Sequence, residues 1–117
     1  MELQRAVPIL TVPDVDVALD EYVALLGLQV MMNIGWVAFL GDSEGAQFAV
    51  MDRDRSAPCN PDMSLEVADL DAAYQRATAA GAEIVHPLQD EEWGVRRFFL
   101  RTAAGHVVNV LSHRQAE

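Results

Sequence analysis

At residues 12–30 the chain reads VPDVDVALDEYVALLGLQV, and at residues 67–85 it reads VADLDAAYQRATAAGAEIV. The two stretches align at an offset of 55 (67 − 12). A second pair, GAQFAVM from Gly45 and GHVVNVL from Gly105, aligns at an offset of 60 (105 − 45). Self-similarity at nearly constant spacing indicates two copies of one supersecondary unit.

Each copy predicts one helix with a defined start and stop. Asp14 and Asp69 can cap helix N-termini, because an aspartate side chain accepts hydrogen bonds from the exposed amides of the first turn. Gly27 and Gly81 follow the apolar runs and predict left-handed stops. In the second copy, apolar residues recur at the spacing of one helix face, namely Leu70, Ala73, Tyr74, Ala77 and Ala80.

Short apolar stretches predict strands around these helices. One strand precedes each helix, at 6–12 and 63–67, and one follows it, at 29–32 and 83–85. Two further strands then flank a glycine-containing turn, DSEG in one copy and TAAG in the other.

The prediction is therefore an α+β fold of two tandem βαβββ modules that form a curved mixed sheet around a cavity. Module one spans about 4–52, a linker about 53–61, and module two about 62–113, within one domain at 1–117. Each half covers one sheet face with a helix, so the other face must be buried against the second half, a partner subunit or a ligand.

The composition limits the classes of molecule that the protein is expected to bind. With a net charge of −10 and only eight Lys and Arg, the chain is a poor ligand for nucleic acid. The same charge would attract a cationic ligand, although solubility alone also accounts for it. No apolar run is long enough to span a membrane and no leader opens the chain, so a cytoplasmic protein is expected. Cys59 is the single cysteine and is interpreted as incidental.

Three stretches carry a family resemblance: VPILTVPDVDVALDEYVALLGLQV from Val7, LEVADLDAAYQRATAAGAEIV from Leu65 and EEWGVRRFFLRTAAGHVVNVL from Glu91. In order and spacing they resemble the glyoxalase/bleomycin resistance protein/extradiol dioxygenase (vicinal oxygen chelate) superfamily, closest in character to the bleomycin-resistance type. Thr102 and Ala103 depart from the Asp and Pro common before the turn glycine. The resemblance implies paired modules around a cavity, usually a homodimer, and either a divalent-metal enzyme or a metal-free drug-binding protein.

The resemblance also implies where a metal would be held. In metal-dependent relatives the ligands come from four positions, which correspond here to Val7, Ala49, Asp62 and Asn109. Val7 and Ala49 cannot bind a metal, and divalent-metal catalysis needs three or four good ligands. We therefore predict no metal site and no cofactor.

No catalytic residues are predicted either. The histidines are scattered: His86 is placed in a loop before Pro87, His106 follows a turn and His113 lies near the C-terminus. They show no metal-binding spacing and no evident carboxylate partner, so each is interpreted as structural or exposed.

Strand alternation predicts which residues face the cavity. If both hairpin loops have four residues, Phe98 lies opposite Asn109 and Ala38 opposite Ala49. Trp93 is placed at the rim. The predicted ligand-binding residues are Ile9, Trp36, Ala38, Ala49, Met51, Asp62, Ser64, Glu66, Trp93, Arg96, Phe98, Asn109 and Leu111.

Two interpretations of this lining stay open. Trp36 and Phe98 can stack on a planar ligand, or they can simply fill the core. Glu66 can anchor an amine, or it can pair with Arg96 in a buried structural bridge.

The leading functional hypothesis is metal-independent sequestration of a bulky, cationic aromatic small molecule, such as an antibiotic, by a homodimer that binds neither nucleic acid nor membrane. The alternative is a metal-dependent lyase, isomerase or dioxygenase of the same superfamily, with an atypical metal site around Asp62. A third possibility is a dimerising module without a ligand. Whether the chain is an enzyme is left open, with binding favoured.

Overall fold

The structure is a computed structural model that describes residues 2–42 and 44–113. It confirms the α+β class and the βαβββ order of each module. The elements are β1 (Leu3–Thr11), α1 (Val15–Leu26), β2 (Gln29–Asn33), β3 (Val37–Gly41), β4 (Gln47–Met51), β5 (Met63–Val67), α2 (Leu70–Ala79), β6 (Glu83–Asp90), β7 (Val95–Arg101) and β8 (Val107–His113).

Both helices begin and end as predicted. The Asp14 carboxylate accepts from the Val17 amide at 3.1 Å, and the Asp69 carboxylate accepts from the Ala72 amide at 3.0 Å. Gly27 closes α1 with φ of 67°. Gly81, just beyond α2, has φ of 82°. Both angles lie in the left-handed region that glycine enters without a Cβ penalty.

Residues 7–60 form one of two compact units, and this unit contains module one from residue 7 onward. Its strands are ordered β2-β3-β4-β1, with β1 and β4 parallel and the other neighbours antiparallel. Helix α1 packs on one face of these strands, where Val15 and Leu19 contact buried strand residues. The opposite, helix-free face carries a second apolar cluster, which we call the apolar face: Val7, Ile9, Val37, Ala49 and Met51, with Trp36 and Phe39 packed against them.

The other unit contains module two, residues 61–113, together with residues 2–6. The Ala68 amide donates to the Glu2 carbonyl at 3.1 Å, which ties the N-terminal residues to this unit. The strand order is β5-β8-β7-β6, with β5 and β8 parallel. Helix α2 packs on one face, where Leu70 and Ala73 join a cluster that includes Phe98.

Two hairpins differ from the prediction by one residue. Arg101 pairs with Val107 rather than His106, and Gly41 pairs with Gln47 rather than Ala46. In the second module the Thr102 amide donates to the His106 carbonyl at 2.9 Å, with Gly105 at φ of 93°. A glycine at positive φ is typical of a three-residue loop with a bulge, whereas the prediction assumed a four-residue loop.

This one-residue difference in pairing places three predicted site residues on the opposite face of the sheet, because successive side chains of a strand alternate between faces. Phe98 packs beneath α2, with its ring centroid 4.9 Å from that of Tyr74. Ala38 packs beneath α1. Arg96 lies 3.3 Å from Asp71 at the start of α2. The prediction that these residues line the helix-free faces is wrong.

None of the described helices is long and apolar enough to cross a membrane.

Candidate functional site

The helix-free face of module two carries the polar side chains, and we call it the polar face. Strand pairing arranges it in two rows, since residues directly opposite each other share a face. The first row runs Ser64, Asn109, Phe99, His86. The second row runs Glu66, Leu111, Arg97, Gln89.

Asn109 stands at the centre of the first row and is only 7% exposed. Its Nδ2 donates to Ser64 Oγ at 2.9 Å. Its Oδ1 is buried and has no hydrogen-bond partner among the described residues. A buried amide oxygen left unpaired costs about 1–3 kcal/mol, so this atom is an acceptor in need of a donor.

Glu66 begins the second row as a partly buried carboxylate, with 22% of its side chain exposed. Its Oε2 lies 3.5 Å from Nδ1 of His113. Arg96, the partner that the sequence offered as an alternative, instead contacts Asp71 and Asp90. The alternative of a bridge between Glu66 and Arg96 is therefore wrong, and Glu66 lies on the polar face.

A cluster of charged side chains lies where the polar face ends, at strand β6. Glu91 Oε1 lies 3.0 Å from His86 Nε2 and accepts from Arg97 Nε at 2.9 Å. All three side chains are at most 5% exposed. Burying charges is tolerated when they are paired and hydrogen-bonded, and the shared carboxylate oxygen meets that condition. His86 lies in β6, so its predicted loop position is wrong.

Two aromatic rings hold the Arg97 guanidinium between them. Its Cζ lies 4.8 Å from the Trp93 ring centroid and 4.7 Å from that of Phe99. Phe99 is fully buried, while Trp93 is 43% exposed. The Trp93 ring is thus positioned by a cation that Glu91 itself fixes.

The predicted residues of module two fall into two groups. Ser64, Glu66, Asn109 and Leu111 do share one face, as strand alternation indicated. Asp62 precedes β5, is exposed, and its carboxylate accepts from the Val107 amide at 2.9 Å.

In module one, Ile9, Ala49 and Met51 belong to the apolar face, as the alternation predicted. Trp36, just before β3, also packs against this face, although the predicted register had placed it on the same face as Ala38. The members of this cluster are apolar side chains. These four predicted residues supply apolar surface.

The four positions that the resemblance assigns to a metal do not fit one. Val7 and Ala49 are buried apolar side chains. Asp62 is bonded to backbone, and Asn109 offers one neutral oxygen. Within residues 2–42 and 44–113, no three His, Cys, Asp or Glu side chains are grouped to hold a metal ion. The alternative of a metal site around Asp62 gains no support from these residues.

Three residues of the polar face were missed by the sequence analysis: His86, Arg97 and Phe99. Phe99 and Arg97 were missed because the observed pairing of β7 with β8 differs from the predicted pairing by one residue. A signal was present in TAAGH and DSEGA, since a glycine as the last loop residue is typical of the odd-numbered loop that sets the observed register.

Solved structures show the same fold. The chain is similar to an NAD-dependent benzaldehyde dehydrogenase from Legionella pneumophila (15% identity, 94% of this chain and 100% of that chain, TM-score 0.78). It is also similar to a glyoxalase/bleomycin resistance protein/dioxygenase superfamily member from Vibrio splendidus (20% identity, 95% of this chain and 99% of that chain, TM-score 0.75). A third similar structure is methylmalonyl-CoA epimerase from Mycobacterium tuberculosis (21% identity, 97% of this chain and 88% of that chain, TM-score 0.70). At these identities the likeness concerns the fold alone.

No curated protein matches the sequence at a significant level. The family profile described as Glyoxalase/Bleomycin resistance protein/Dioxygenase superfamily matches residues 3–110. Because that match covers almost the whole sequence, and the described strands and helices follow the vicinal oxygen chelate order, the chain belongs to this superfamily.

Proposed function

We propose that the protein captures a bulky, cationic aromatic small molecule on the polar face without a metal, in the manner of bleomycin-resistance proteins. The observation that carries the proposal is the buried Oδ1 of Asn109, which has no donor among the described residues. A ligand N–H or O–H placed there would supply the missing hydrogen bond. Burying that bond away from water makes it selective for ligands with a donor at this position.

Charge supports a cationic ligand. Glu66 lies in the row next to Asn109, and Ser64 lies beside Asn109. A protonated amine can donate both to the carboxylate and to the amide oxygen. The net charge of −10 adds long-range attraction for a cation.

Trp93 supports an aromatic part at the other end of the ligand. The strands of Glu66 and Arg97 are separated by β8, so two strand spacings of about 4.8 Å put these residues roughly 10 Å apart. Trp93 stacks on Arg97 and exposes 43% of its surface. Because the guanidinium already uses the negative face of the ring, a neutral aromatic group is favoured there over a second cation.

The mechanism would be stoichiometric capture in the cytoplasm. No bond is made or broken, and protection depends on affinity and on protein abundance.

The test is a titration with a panel of cationic aromatic antibiotics, read by tryptophan fluorescence and by thermal melting. A ligand that binds the native state raises the melting temperature by mass action. Quenching should persist in Trp36→Phe and disappear in Trp93→Phe. Asn109→Ala and Glu66→Gln should each weaken binding by about tenfold or more, while Glu21→Gln, on exposed α1, should not.

Three outcomes would contradict the proposal. The first is a panel in which no compound changes either signal. The second is binding that neither Asn109→Ala nor Glu66→Gln weakens. The third is near-stoichiometric Zn, Mn, Ni or Fe in protein purified without chelators, which would favour the metal-dependent alternative.

A further inference from the structure

Polar side chains recur at every second residue along β5. Ser64 and Glu66 lie on the polar face, and the alternation continues to Asp62, directly before the strand. The Asp62 amide donates to the Val107 carbonyl at 2.8 Å, so the backbone here still follows β8. We call Asp62, Ser64 and Glu66 the β5 ladder. It has a carboxylate at each end and a hydroxyl in the middle.

The buried acceptor of Asn109 lies beside the middle of the β5 ladder. Asn109 pairs directly with Ser64, and its Nδ2 donates to Ser64 Oγ at 2.9 Å. Its Oδ1 has no hydrogen-bond partner among residues 2–42 and 44–113, and the residue is only 7% exposed. A ligand group that satisfies this oxygen must bring an N–H or O–H donor to the space between the two carboxylates.

The spacing of these acceptors fits a chain rather than a single ion. Side chains on one face of a strand are about 6.6 Å apart, so the Asp62 and Glu66 backbones lie roughly 13 Å apart. Carboxylates separated by that span cannot converge on one ion. In an extended linear polyamine, nitrogens separated by three or four methylenes recur every ~5–6 Å, given bond lengths of about 1.5 Å. Three ammonium groups can therefore meet Asp62, Asn109 and Glu66 in turn.

Both carboxylates can accept a further hydrogen bond. Asp62 is exposed and uses Oδ2 to accept from the Val107 amide at 2.9 Å. Glu66 Oε2 lies 3.5 Å from Nδ1 of His113, whose side chain is 60% exposed. An ion pair with an exposed partner is weak, so an ammonium group can compete with His113 for this carboxylate. Each carboxylate also has lone pairs beyond those that these contacts use.

We infer that the cationic part of the ligand is a linear polyamine that lies along β5, with its ends at Asp62 and Glu66 and an inner ammonium group at Asn109 Oδ1. This inference rests on the proposed function, which by itself requires a single amine. The net charge of −10 attracts a chain of several positive charges more strongly than it attracts one.

The experiment titrates the full chain with spermidine by isothermal titration calorimetry. Spermidine should bind at one site. Asp62→Asn and Glu66→Gln should each raise the dissociation constant by about tenfold or more, because each removes a charge-assisted hydrogen bond. Asp62→Asn keeps an oxygen that can accept from the Val107 amide, so the start of β5 is preserved. The matched control is Asp20→Asn, at an exposed position of α1, which should change the constant by less than about twofold.

A probe of equal length isolates the contact with Asn109. The diamine 1,8-diaminooctane is as long as spermidine but has a methylene in place of the inner ammonium group, so it brings no donor to Oδ1. It should bind the wild type more weakly than spermidine by about tenfold or more. Asn109→Ala should remove most of that difference, whereas Asp62→Asn should weaken the binding of both probes.

Three outcomes would overturn the inference: spermidine that does not bind, binding that Asp62→Asn leaves unchanged, and a preference for spermidine that survives Asn109→Ala. If one of them is found while a cationic aromatic compound still binds, the polyamine is wrong and the proposed capture stands. If spermidine behaves as expected while no aromatic compound binds, the polyamine site stands and the capture of aromatic molecules is wrong.

Discussion

The two modules share one strand arrangement but have opposite chemistry on their helix-free faces. At matching register, module one places Ile9, Ala49 and Phe39 where module two places Ser64, Asn109 and Phe99. Only the aromatic position is kept. A duplicated scaffold has therefore retained an apolar face in one copy and a polar face in the other.

The difference favours module two as the copy that would bind the proposed ligand. The apolar face stabilises its unit by removing hydrocarbon from water, at roughly 25 cal/mol per Å². The His86, Glu91 and Arg97 cluster cannot be explained in the same way, because replacing buried ion pairs with apolar residues is often neutral or stabilising. The proposed ligand capture would account for a polar face that stability does not require.

The largest expected effect is on the cluster of module two. Glu91→Ala should lower the free energy of unfolding by about 3–5 kcal/mol, because it leaves the buried Arg97 and His86 without their carboxylate. Urea denaturation measures the change. The matched control is Glu92→Ala, an exposed neighbour, which should stay within about 0.5 kcal/mol. A loss below about 1 kcal/mol for Glu91→Ala would mean that the cluster is solvated.

A smaller effect is expected from giving module one the polar residue of module two. Ala49→Asn places an amide among the buried apolar side chains of Val7, Ile9 and Met51. The unpaired amide should cost about 1–3 kcal/mol, with overpacking adding to it. Thermal or urea unfolding measures the loss, and Ala46→Asn, at an exposed loop position, is the control.

If Ala49→Asn is tolerated as well as Ala46→Asn, the apolar face has room for polar groups. The contrast between the two faces would then be one of residue choice alone, and module one would be an equal candidate for ligand binding.

Local signals were sufficient to predict the elements. Asp14 and Asp69 satisfy the first-turn amides of the helices that follow them, wherever those helices pack. Gly27 and Gly81 both adopt the left-handed conformation expected of helix stops. The internal repeat then predicted the same order twice, so each module supported the other.

It was harder to predict which side chains lie on which face of the sheet, since this depends on whether a hairpin loop has an odd or an even number of residues. One residue in the loop before Gly105 decides whether Phe98 or Phe99 lies opposite Asn109. Both are large and apolar, so hydrophobicity along β7 cannot choose between them. Within β5, where Ser64 and Glu66 alternate with apolar residues, the face was predicted correctly.

The charged cluster could not be predicted because its contacts depend on pairing irregularities. His86 lies between two register shifts of β6 and contacts Glu91 just after the strand, while Arg97 contacts Glu91 from β7. Such shifts leave little trace in sequence, and the proline after His86 favoured a loop instead.

The smallest expected effect on stability is that of Asn109→Ala, which gives module two the residue of module one at this register. The substitution removes the hydrogen bond to Ser64, worth about 1 kcal/mol, but it also removes the unpaired Oδ1. The two terms oppose each other, so unfolding free energy should change by less than about 1 kcal/mol. Urea denaturation of ligand-free protein measures this change.

The companion variant is Ser64→Ala, which removes the same hydrogen bond but keeps Oδ1. Ser64→Ala should therefore cost more unfolding free energy than Asn109→Ala. If Asn109→Ala costs more instead, Oδ1 contributes to folding, and the acceptor on which ligand capture depends is already satisfied in the free protein.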